Sequence, residues 1–319
     1  MNKNNKNTNS LPASLNARLE DIFGPYIFKQ VQATFVNRPV TFRINTIKSS
    51  RKEVLETLSS GGFKIKTVPW YSDAFILSNK KQSELEKTDL YKDGKIYLQS
   101  LASMVPALIL APQPGEKVLD LTAAPGSKTS QIAAMMNLQG ELIANDNNEI
   151  RFQKLQHNLG LLGVKEDFCT VYNENGHKLC QRYPNYFDKI LLDAPCSAEA
   201  RIIMTEHRTC GFWNERNIKD HAFVQRQLLC AAWGALKPGG VLVYSTCTFA
   251  PEENEVQISR FLESFPEAKI EEARLSGLQK AEPVVKWKDK ELNKQVKKCW
   301  RLLPTTEVEG FFICKILKK

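Results

Sequence analysis

Several features that would assign this 319-residue chain to other protein classes are missing. Its longest apolar run, residues 105–111, is interrupted by Pro106 and is far too short to span a bilayer. No apolar core follows the first Lys and Asn residues, so the sequence predicts no secretory signal peptide. None of the eight cysteines is spaced Cys-x-x-Cys and the four histidines do not cluster with them, which argues against a zinc or other metal site. We therefore expect free thiols in a reducing, cytoplasmic compartment and no membrane partner.

The composition is that of an ordinary globular protein. Hydrophobic residues make up 42% and charged residues 25% of the chain, which is enough for a sizeable core. The formal net charge of +9 favours a polyanionic partner, although charge alone leaves nucleic acid and no such partner equally open. Residues 1–10 are polar and low in complexity, and we expect a disordered tail there. We expect a monomer.

Residues 11–95 predict a small α+β domain. Apolar residues at helical spacing predict helices over residues 11–24 and 26–35, and a helix from Ser50 to residue 58 has Glu53 placed for a capping box. Strands are expected at 40–45, 63–68 and 74–77. The charged stretch 80–95 is interpreted as a linker.

Residues 96–319 alternate between strand and helix patterns. This alternation predicts an α/β fold with a doubly wound, mainly parallel sheet. The predicted strands are residues 118–121, 141–145, 168–172, 187–192, 241–244 and 311–316.

The loop after the first of these strands is suited to a nucleotide cofactor. Residues 122–129 read Thr-Ala-Ala-Pro-Gly-Ser-Lys-Thr, which is neither a P-loop nor Gly-x-Gly-x-x-Gly. Small residues let a ligand approach the backbone, and the following helix offers free N–H groups. Asp146, at the end of the next strand, is placed to bind ribose hydroxyls. A tight turn followed by a helix-capping Asp remains an alternative.

Two cysteines end later strands. Cys196 closes Asp193-Ala194-Pro195-Cys196, and Cys247 closes Ser245-Thr246-Cys247. Because the carboxyl ends of parallel strands meet at one crevice, we expect both thiols to face the 122–129 loop. A thiolate that adds to C6 of a pyrimidine makes C5 nucleophilic, so this pairing indicates covalent catalysis. Lys128 would help a thiol to ionise if it reaches the pocket, and Asp193 would bind N3 and the amine of the base.

Other residues in these patterns have simpler interpretations. Glu252, Glu253 and Glu255 are interpreted as the first turn of a helix after Pro251. Trp213 and His207 are assigned to packing in preference to RNA contact. The remaining cysteines are assigned to the core: Cys169, Cys180, Cys210, Cys230, Cys299 and Cys314.

Five segments together resemble the RNA (cytosine-5) methyltransferase family, also called the Nol–Nop–Sun family. They are residues 42–46, 119–129, 191–197, 243–248 and 251–255. The resemblance implies a seven-stranded Rossmann-like sheet, S-adenosylmethionine as methyl donor, Cys247 as the nucleophile at C6, and Cys196 as the group that assists elimination. The catalytic set is then Cys247, Cys196, Asp193 and Lys128. The implied cofactor-binding residues are Thr122, Ala123, Ala124, Pro125, Gly126, Ser127, Lys128, Asp146, Asn175 and Asp193.

The chain departs from the family pattern at two places. Asn175 stands where the family has an acid near the adenine, so it can accept a hydrogen bond but carries no charge. Ala198 and Ala200 stand where many members have glycine, which affects the geometry of the loop after Cys196.

Chemistry at C5 requires a cytosine that has left its stack, so the expected substrate is a single-stranded, bulged or flipped cytosine in tRNA or rRNA. Two rivals stay open: a DNA cytosine methyltransferase with Cys196 as nucleophile, and an RNA-binding factor without catalysis. Basic residues of the N-terminal domain would hold phosphates, unless they form a solvated face: Arg38, Arg43, Lys48, Arg51 and Lys52. A second basic stretch allows the same two interpretations: Lys286, Lys288, Lys290, Lys294, Lys297 and Lys298.

Overall fold

The structure is a computed structural model that describes residues 11–211 and 213–319. The tail predicted at residues 1–10 lies outside the described residues. Within those two ranges the chain forms ten α-helices and fifteen strands. No helix in this part of the chain combines the length and apolarity that crossing a bilayer requires.

The first part of the chain builds a small antiparallel sheet. In the described residues its strand order is β2-β3-β1-β4, and all four residues of β1 are buried. The elements are α1 (Ala13–Gln32), β1 (Thr41–Ile44), α2 (Arg51–Ser60), β2 (Ile65–Val68), β3 (Tyr71–Leu77), α3 (Gln82–Leu85), α4 (Asp89–Lys92) and β4 (Ile96–Leu98).

Local sequence signals account for most of these elements. The two helices predicted before residue 35 form one element, α1, which is broken at Gly24, where φ is +71°. Ser50 caps α2 by accepting a hydrogen bond from the Glu53 amide at 3.2 Å, which is one of the two hydrogen bonds of the predicted capping box.

The predicted linker over residues 80–95 is wrong. This stretch contains α3 and α4, and β4 directly after it pairs with β1 in the small sheet. Leu85 and Leu90 are buried in the apolar cluster of that sheet, and they anchor the two short helices. Because Leu85 and Leu90 are surrounded by charged residues in the sequence, the hydrophobic pattern did not identify them as buried positions. The small sheet thus continues past residue 95, and the division into domains at that point stays a prediction.

The second sheet contains nine strands in the described part of the chain. Its order is β11-β14-β15-β9-β8-β5-β6-β7, with β10 beside β15. The strands are β5 (Lys117–Asp120), β6 (Glu141–Asn145), β7 (Cys169–Tyr172), β8 (Phe187–Asp193), β9 (Leu236–Thr246), β10 (Ala268–Glu271), β11 (Lys280–Ala281), β14 (Trp300–Leu302) and β15 (Phe311–Lys318).

This sheet has the Rossmann-like α/β architecture that the sequence predicts. Strands β5 to β9 are parallel, whereas β10, β11, β14 and β15 form an antiparallel side. The antiparallel side arises because the chain beyond residue 265 contains no further helical crossover, and parallel strands need one. Seven strands form the sheet from β7 to β14, and the short strands β10 and β11 extend it. A separate two-stranded ribbon consists of β12 (Lys286–Trp287) and β13 (Lys290–Glu291).

Helices cover both faces of the sheet. Val118 of β5 packs in the apolar cluster with α5 and α6, whereas its neighbour Leu119 packs in the cluster with α9 and α10, since side chains alternate along a strand. The carboxyl ends of β5, β6, β8 and β9 therefore open at one edge between the layers. The helices are α5 (Leu101–Leu110), α6 (Ser127–Met135), α7 (Glu149–Leu161), α8 (Gly176–Gln181), α9 (Glu215–Ala235) and α10 (Glu255–Ser264).

Candidate active site

A cavity of about 900 Å³ lies at the carboxyl ends of these parallel strands. Its wall contains every site residue predicted from the sequence except Gly126. The 122–128 loop, Asp146 and Asn175 form one part of the wall, and Asp193, Cys196 and Cys247 form another. The strand-end loops therefore meet as the parallel topology requires.

The 122–128 loop is held by backbone and side-chain hydrogen bonds. Thr122 Oγ1 donates to the Asp193 carbonyl oxygen at 2.8 Å. Gly126 directly precedes α6 with a φ of +101°, and a Cβ there would stand 3.1 Å from Leu155 Cδ1. Gly126 thus shapes the turn, while its neighbours present their atoms to the cavity.

Asp146 is buried and connects β6 to the 122–128 loop. Its Oδ2 accepts the Ala124 amide at 3.3 Å, and its Oδ1 accepts the Asn148 amide at 3.1 Å. Arg151 pairs with Asp146 at 3.1 Å and also donates to the Ala124 carbonyl at 2.9 Å. The carboxylate is fixed, and one acceptor position on Oδ1 remains for a ligand hydroxyl.

Asn175 caps α8. Its Oδ1 accepts hydrogen bonds from the His177 and Lys178 amides at 3.0 and 3.3 Å. Because both lone pairs of this oxygen are engaged, the side-chain NH₂ is the group of Asn175 that remains for a ligand.

Buried Lys128 and half-buried Asp193 form an ion pair in the cavity wall. Their Nζ and Oδ2 atoms are 2.6 Å apart, and Lys128 Nζ also donates to Ser103 Oγ at 2.7 Å. Ser245 Oγ donates to Asp193 Oδ1 at 2.8 Å. These contacts orient the Asp193 carboxylate between the two cysteine-bearing loops. Lys128 is therefore engaged with Asp193.

Cys196 and Cys247 are adjacent free thiols. Their sulfur atoms are 3.3 Å apart, which is too far for a disulfide and suits an S–H···S contact. The hydrogen bond with Cys196 lowers the pKa of Cys247, and the Arg201 cation adds to this effect against burial. The same hydrogen bond, together with burial, raises the pKa of Cys196 well above its usual range. The pKa values of the two thiols therefore shift in opposite directions.

The loop after Cys196 contains Ala198 and Ala200, the two positions at which many family members have glycine. Ala198 adopts the left-handed conformation with φ +55° and ψ +33°, whereas Ala200 does not have a positive φ. Glu199 is buried; it accepts from Trp213 Nε1 at 2.8 Å and from Thr248 Oγ1 at 2.9 Å. Burial raises the pKa of Glu199. Trp213 therefore has a packing and hydrogen-bonding role, as expected.

The interpretation of Glu252 and Glu253 as the first turn of a helix is wrong, because α10 begins at Glu255. Glu253 is fully buried, accepts the Ser197 amide at 3.1 Å and Gln225 Nε2 at 2.7 Å, and so fastens the Cys196 loop. Burial raises its pKa to about 8. Glu252 pairs with Arg18 of α1 at 2.7 Å. The helical pattern gave no indication of these partners, which are distant in sequence.

One of the N-terminal basic residues expected to contact RNA phosphates, Arg43, is not available for that role. Arg43 is fully buried, because its guanidinium bridges the small sheet to α6, and it is inaccessible to RNA. Lys48 donates its Nζ to the Asp93 and Leu161 carbonyls, and Arg51 stacks on Phe75. Lys52 is exposed. All six lysines of the second basic stretch are exposed around the β12–β13 ribbon.

The sequence analysis missed several residues of the cavity wall, among them three charged residues near the reacting groups. Arg201, Glu309 and Asp120 all lie there. Asp120 is buried, and burial raises its pKa to about 7. Its position at the end of β5, directly before the 122–128 loop, was the available signal; Arg201 follows Cys196 by five residues, and only the folded loop brings it into the cavity.

The other cysteines lie away from the cavity wall. Cys230 is half-buried, and five are buried: Cys169, Cys180, Cys210, Cys299 and Cys314. Among the described residues no group of three or more His, Cys, Asp or Glu is arranged to hold a metal ion.

Two family models match the chain. The model of the 16S rRNA methyltransferase RsmB/F family covers residues 107–317, and the model of the N-terminal domain of the 16S rRNA methyltransferase RsmF covers residues 11–101. A crystal structure of a methyltransferase homologue from Pyrococcus horikoshii superposes with a TM-score of 0.83 at 33% identity, covering 97% of this chain and 96% of that one.

Curated relatives agree in reaction and differ in substrate. The tRNA (cytosine(49)-C(5))-methyltransferase of Pyrococcus abyssi is 37% identical over 93% of this chain and 91% of its own length. The ribosomal RNA small subunit methyltransferase F of Pectobacterium atrosepticum is 36% identical over 81% of this chain, which spans 54% of that relative. The chain therefore belongs to the RsmB/F methyltransferase family and is an S-adenosylmethionine-dependent RNA (cytosine-5) methyltransferase.

Proposed function

We propose that this chain methylates C5 of a cytosine in tRNA or rRNA through a transient covalent bond between Cys247 Sγ and C6. The observation that carries the proposal is the pair of free thiols 3.3 Å apart in one cavity wall with Asp193 and the 122–128 loop. Cys247 has the lowered pKa of the two, which favours it as the attacking thiolate.

The cofactor would occupy the part of the cavity formed by the 122–128 loop, Asp146 and Asn175. The donor set fits: Asp146 Oδ1 retains an acceptor position for a ribose hydroxyl, and the Asn175 NH₂ can donate to a ring nitrogen of adenine. When bound, S-adenosylmethionine supplies an electrophilic methyl group beside Asp193. The chain's own residues bind and orient it and prepare the base.

The covalent step divides a difficult substitution into easier ones. An electron pair of Cys247 Sγ forms the S–C6 bond, and the ring electrons shift towards C5. Asp193, held by Lys128 and Ser245, would accept a hydrogen bond from the exocyclic amine of the base and orient the ring for this shift. After C5 has gained the methyl group, it loses its proton to a base; the C5=C6 bond re-forms and the S–C6 electron pair returns to Cys247.

Cys196 is the proposed base for the C5 proton. Its pKa is raised first by the hydrogen bond with Cys247 and then by burial. Once Cys247 is bonded to carbon, that hydrogen bond and the adjacent thiolate charge disappear, so the pKa of Cys196 falls and Cys196 can release its proton to solvent before it takes the C5 proton. The exchange of roles follows from the 3.3 Å separation.

RNA would reach the cavity with its target base unstacked. The net charge of +9 and the exposed lysines at Lys286 to Lys298 favour contact with phosphates. We assign residues 11–95 to RNA binding and residues 96–319 to catalysis, with Arg43 removed from the RNA-contacting set.

The test compares wild type, Cys247→Ala and Cys196→Ala with labelled methyl donor and RNA. We expect Cys247→Ala to lose methylation and to form no protein–RNA adduct, whereas Cys196→Ala accumulates a covalent adduct that denaturing electrophoresis resolves. Adduct formation by Cys247→Ala, or methylation of DNA but not RNA, would favour the DNA-type assignment. Methyl transfer retained in the absence of both thiols would reject covalent catalysis, and an absence of methylation by wild type on every RNA tested would favour a binding factor.

The tRNA and rRNA alternatives are separated by bisulfite sequencing. Total RNA from cells with and without the gene would show one or more cytosines whose protection is lost with the gene. The class of RNA that contains those cytosines identifies the substrate.

A further inference from the structure

Arg201 is a cation of the active-site cavity whose guanidinium has no hydrogen-bond or ion-pair partner among residues 11–211 and 213–319. It ends the short 3-10 helix Glu199–Arg201 and lies in the cavity wall with Cys196, Cys247 and Glu309. Within the described residues its side chain makes no hydrogen bond or ion pair. By contrast, the cavity cations Lys128 and Arg151 are paired with Asp193 and Asp146.

Hydrogen bonds tie the backbone of the loop that contains Arg201 to Cys247, while the Arg201 side chain itself is exposed at the cavity wall. The amide of Ala200 donates to the Cys247 carbonyl at 3.1 Å, one residue before Arg201. Glu199, on the other side of Ala200, accepts the Phe249 amide at 3.1 Å. The loop after Cys196 is thus tied on both sides of Ala200 to the loop after Cys247.

We propose that Arg201 is the residue whose positive charge stabilises the Cys247 thiolate and thereby makes Cys247, and not Cys196, the nucleophile. This inference rests on the proposed function, in which Cys247 attacks C6. It assigns to Arg201 the ionising role that the sequence suggested for Lys128.

The charges around the thiols agree with this assignment. Asp193 and Glu309 oppose ionisation of Cys247, but Lys128 compensates Asp193 at 2.6 Å and Ser100 Oγ donates to Glu309 at 3.0 Å. Glu253, on the Cys196 side, has a pKa of about 8 and is mainly neutral at pH 7. The Glu199 carboxyl, whose pKa burial raises, is hydrogen-bonded away from the thiols to Trp213 and Thr248. Arg201, which makes no ion pair within the described residues, is then the cation that acts on Cys247; the charge of Cys247, followed by those of Glu309 and Asp193, raises the pKa of Arg201.

The test measures thiol alkylation in the full chain without RNA or methyl donor. Wild type, Arg201→Met, Arg201→Lys and the control Lys154→Met, which removes another cavity cation, are treated with iodoacetamide between pH 6 and pH 10. Mass spectrometry follows the peptides that contain Cys247 and Cys196. We expect Arg201→Met to raise the apparent pKa of Cys247 by about one unit and to slow its alkylation at pH 7 about tenfold. Arg201→Lys should restore most of the rate, and Lys154→Met should match wild type.

The outcomes separate this inference from the proposed function. An unchanged Cys247 profile in Arg201→Met, including the case in which that variant binds RNA more weakly, would overturn the role in ionisation and leave Cys247 as nucleophile untouched. Preferential alkylation of Cys196 in wild type would instead contradict the choice of Cys247 itself. Circular dichroism of Arg201→Met establishes that the variant is folded.

Discussion

Each of the two walls of the cavity is stabilised by a fully buried arginine, and the two arginines differ in the partners that their guanidinium groups bind. Arg43 connects the small sheet to α6, the helix that begins in the 122–128 loop: it donates to Gln99 Oε1 at 2.9 Å and to Ser130 Oγ at 2.6 Å. Arg301 connects β14 to the segment after Cys247: it pairs with Glu255, with Nε 3.0 Å from Oε1, and donates to the Phe249 carbonyl at 2.8 Å.

The two arginines differ in whether a carboxylate neutralises the charge of the guanidinium. Arg301 has a carboxylate partner, whereas in the described chain no carboxylate hydrogen-bonds Arg43, and burial lowers the pKa of Arg43. The wall that carries the thiols is therefore held by an ion pair, in which loss of one partner strands the other charge. The wall that carries the 122–128 loop is held by neutral acceptors, whose loss strands only hydrogen-bonding groups.

The largest effect is expected for Arg301→Met. Removing one member of a buried pair leaves Glu255 charged without its partner, which should lower the free energy of unfolding by about 3–5 kcal/mol. Urea denaturation measures this loss. The double variant Arg301→Met with Glu255→Gln should recover part of the stability; equal stability of the single and double variants would show that the pair is not coupled.

Arg43→Met should lower the free energy of unfolding less than Arg301→Met does, but it should also weaken binding of the cofactor. Losing charged hydrogen bonds to neutral acceptors should lower the free energy of unfolding by about 1–3 kcal/mol. Calorimetric titration with S-adenosylhomocysteine should show weaker binding, because Arg43 also contacts the Ser127 carbonyl at 3.2 Å. Lys52→Met, a change at an exposed residue, is the control. A loss as large as that of Arg301→Met would contradict the comparison.

Glu253 and Glu255 provide a matched pair for pH dependence. Glu253 keeps its proton to about pH 8 when folded, but loses it near pH 4.5 when unfolded. The folded state binds more protons in that window, so stability falls as pH rises from 4.5 to 8, by up to about 1.4 kcal/mol per pH unit for this one group.

Glu253→Gln replaces the protonated carboxyl by an isosteric amide and should flatten this slope. Part of the slope should remain, because Asp120, with a pKa of about 7, acts in the same direction. Unfolding measured at pH 5, 6, 7 and 8 gives the slopes. Glu255→Gln should instead lower stability at each pH, since it removes the partner of Arg301. A slope that Glu253→Gln leaves unchanged would show that Glu253 ionises normally.

The smallest effect is expected at Ala198. Its left-handed conformation, with φ +55°, is unfavourable for a residue with a Cβ, so Ala198→Gly should stabilise the fold by up to about 1 kcal/mol. Ala200→Gly is the control: Ala200 is buried and has no positive φ, and we expect a loss of about 0.5–1 kcal/mol. Thermal unfolding measures both changes, and the same sign for the two would remove the conformational explanation.

The elements predicted well were those with strong local signals. The strand over residues 141–145 agrees at both ends, because the strand begins directly after a glycine and its apolar run ends at polar residues. The stretch 80–95 was misjudged because its two apolar anchors, Leu85 and Leu90, stand alone among charges. The strands β10 to β14 were not predicted, since most have only two to four residues and depend on pairing for their order.

The residues of the candidate site also divide into those that local sequence motifs predict and those that only the folded structure reveals. Cys196, Cys247, Asp193 and the 122–128 loop carry motifs that can be read along the chain, and parallel topology alone predicts that they share an edge. Arg43 and Glu253 lie in two of the segments that resemble the family, residues 42–46 and 251–255, but those motifs do not reveal their partners, and Arg201 lies outside all five segments. Glu253 binds Gln225 and Ser197, which are 28 and 56 residues away, and Arg43 binds Ser130, which is 87 residues away, so their protonation, burial and exposure depend on packing.

By itself, the sequence determined the alternating α/β architecture and the class of reaction, because backbone periodicity and short motifs are local properties, and it led to the proposal of the reacting groups. Tertiary structure alone decided which arginine is buried, which glutamate keeps a proton and in which direction the pKa of each of two adjacent thiols shifts. These properties depend on solvation and on charges at a few ångströms, and such distances exist only once the loops have come together.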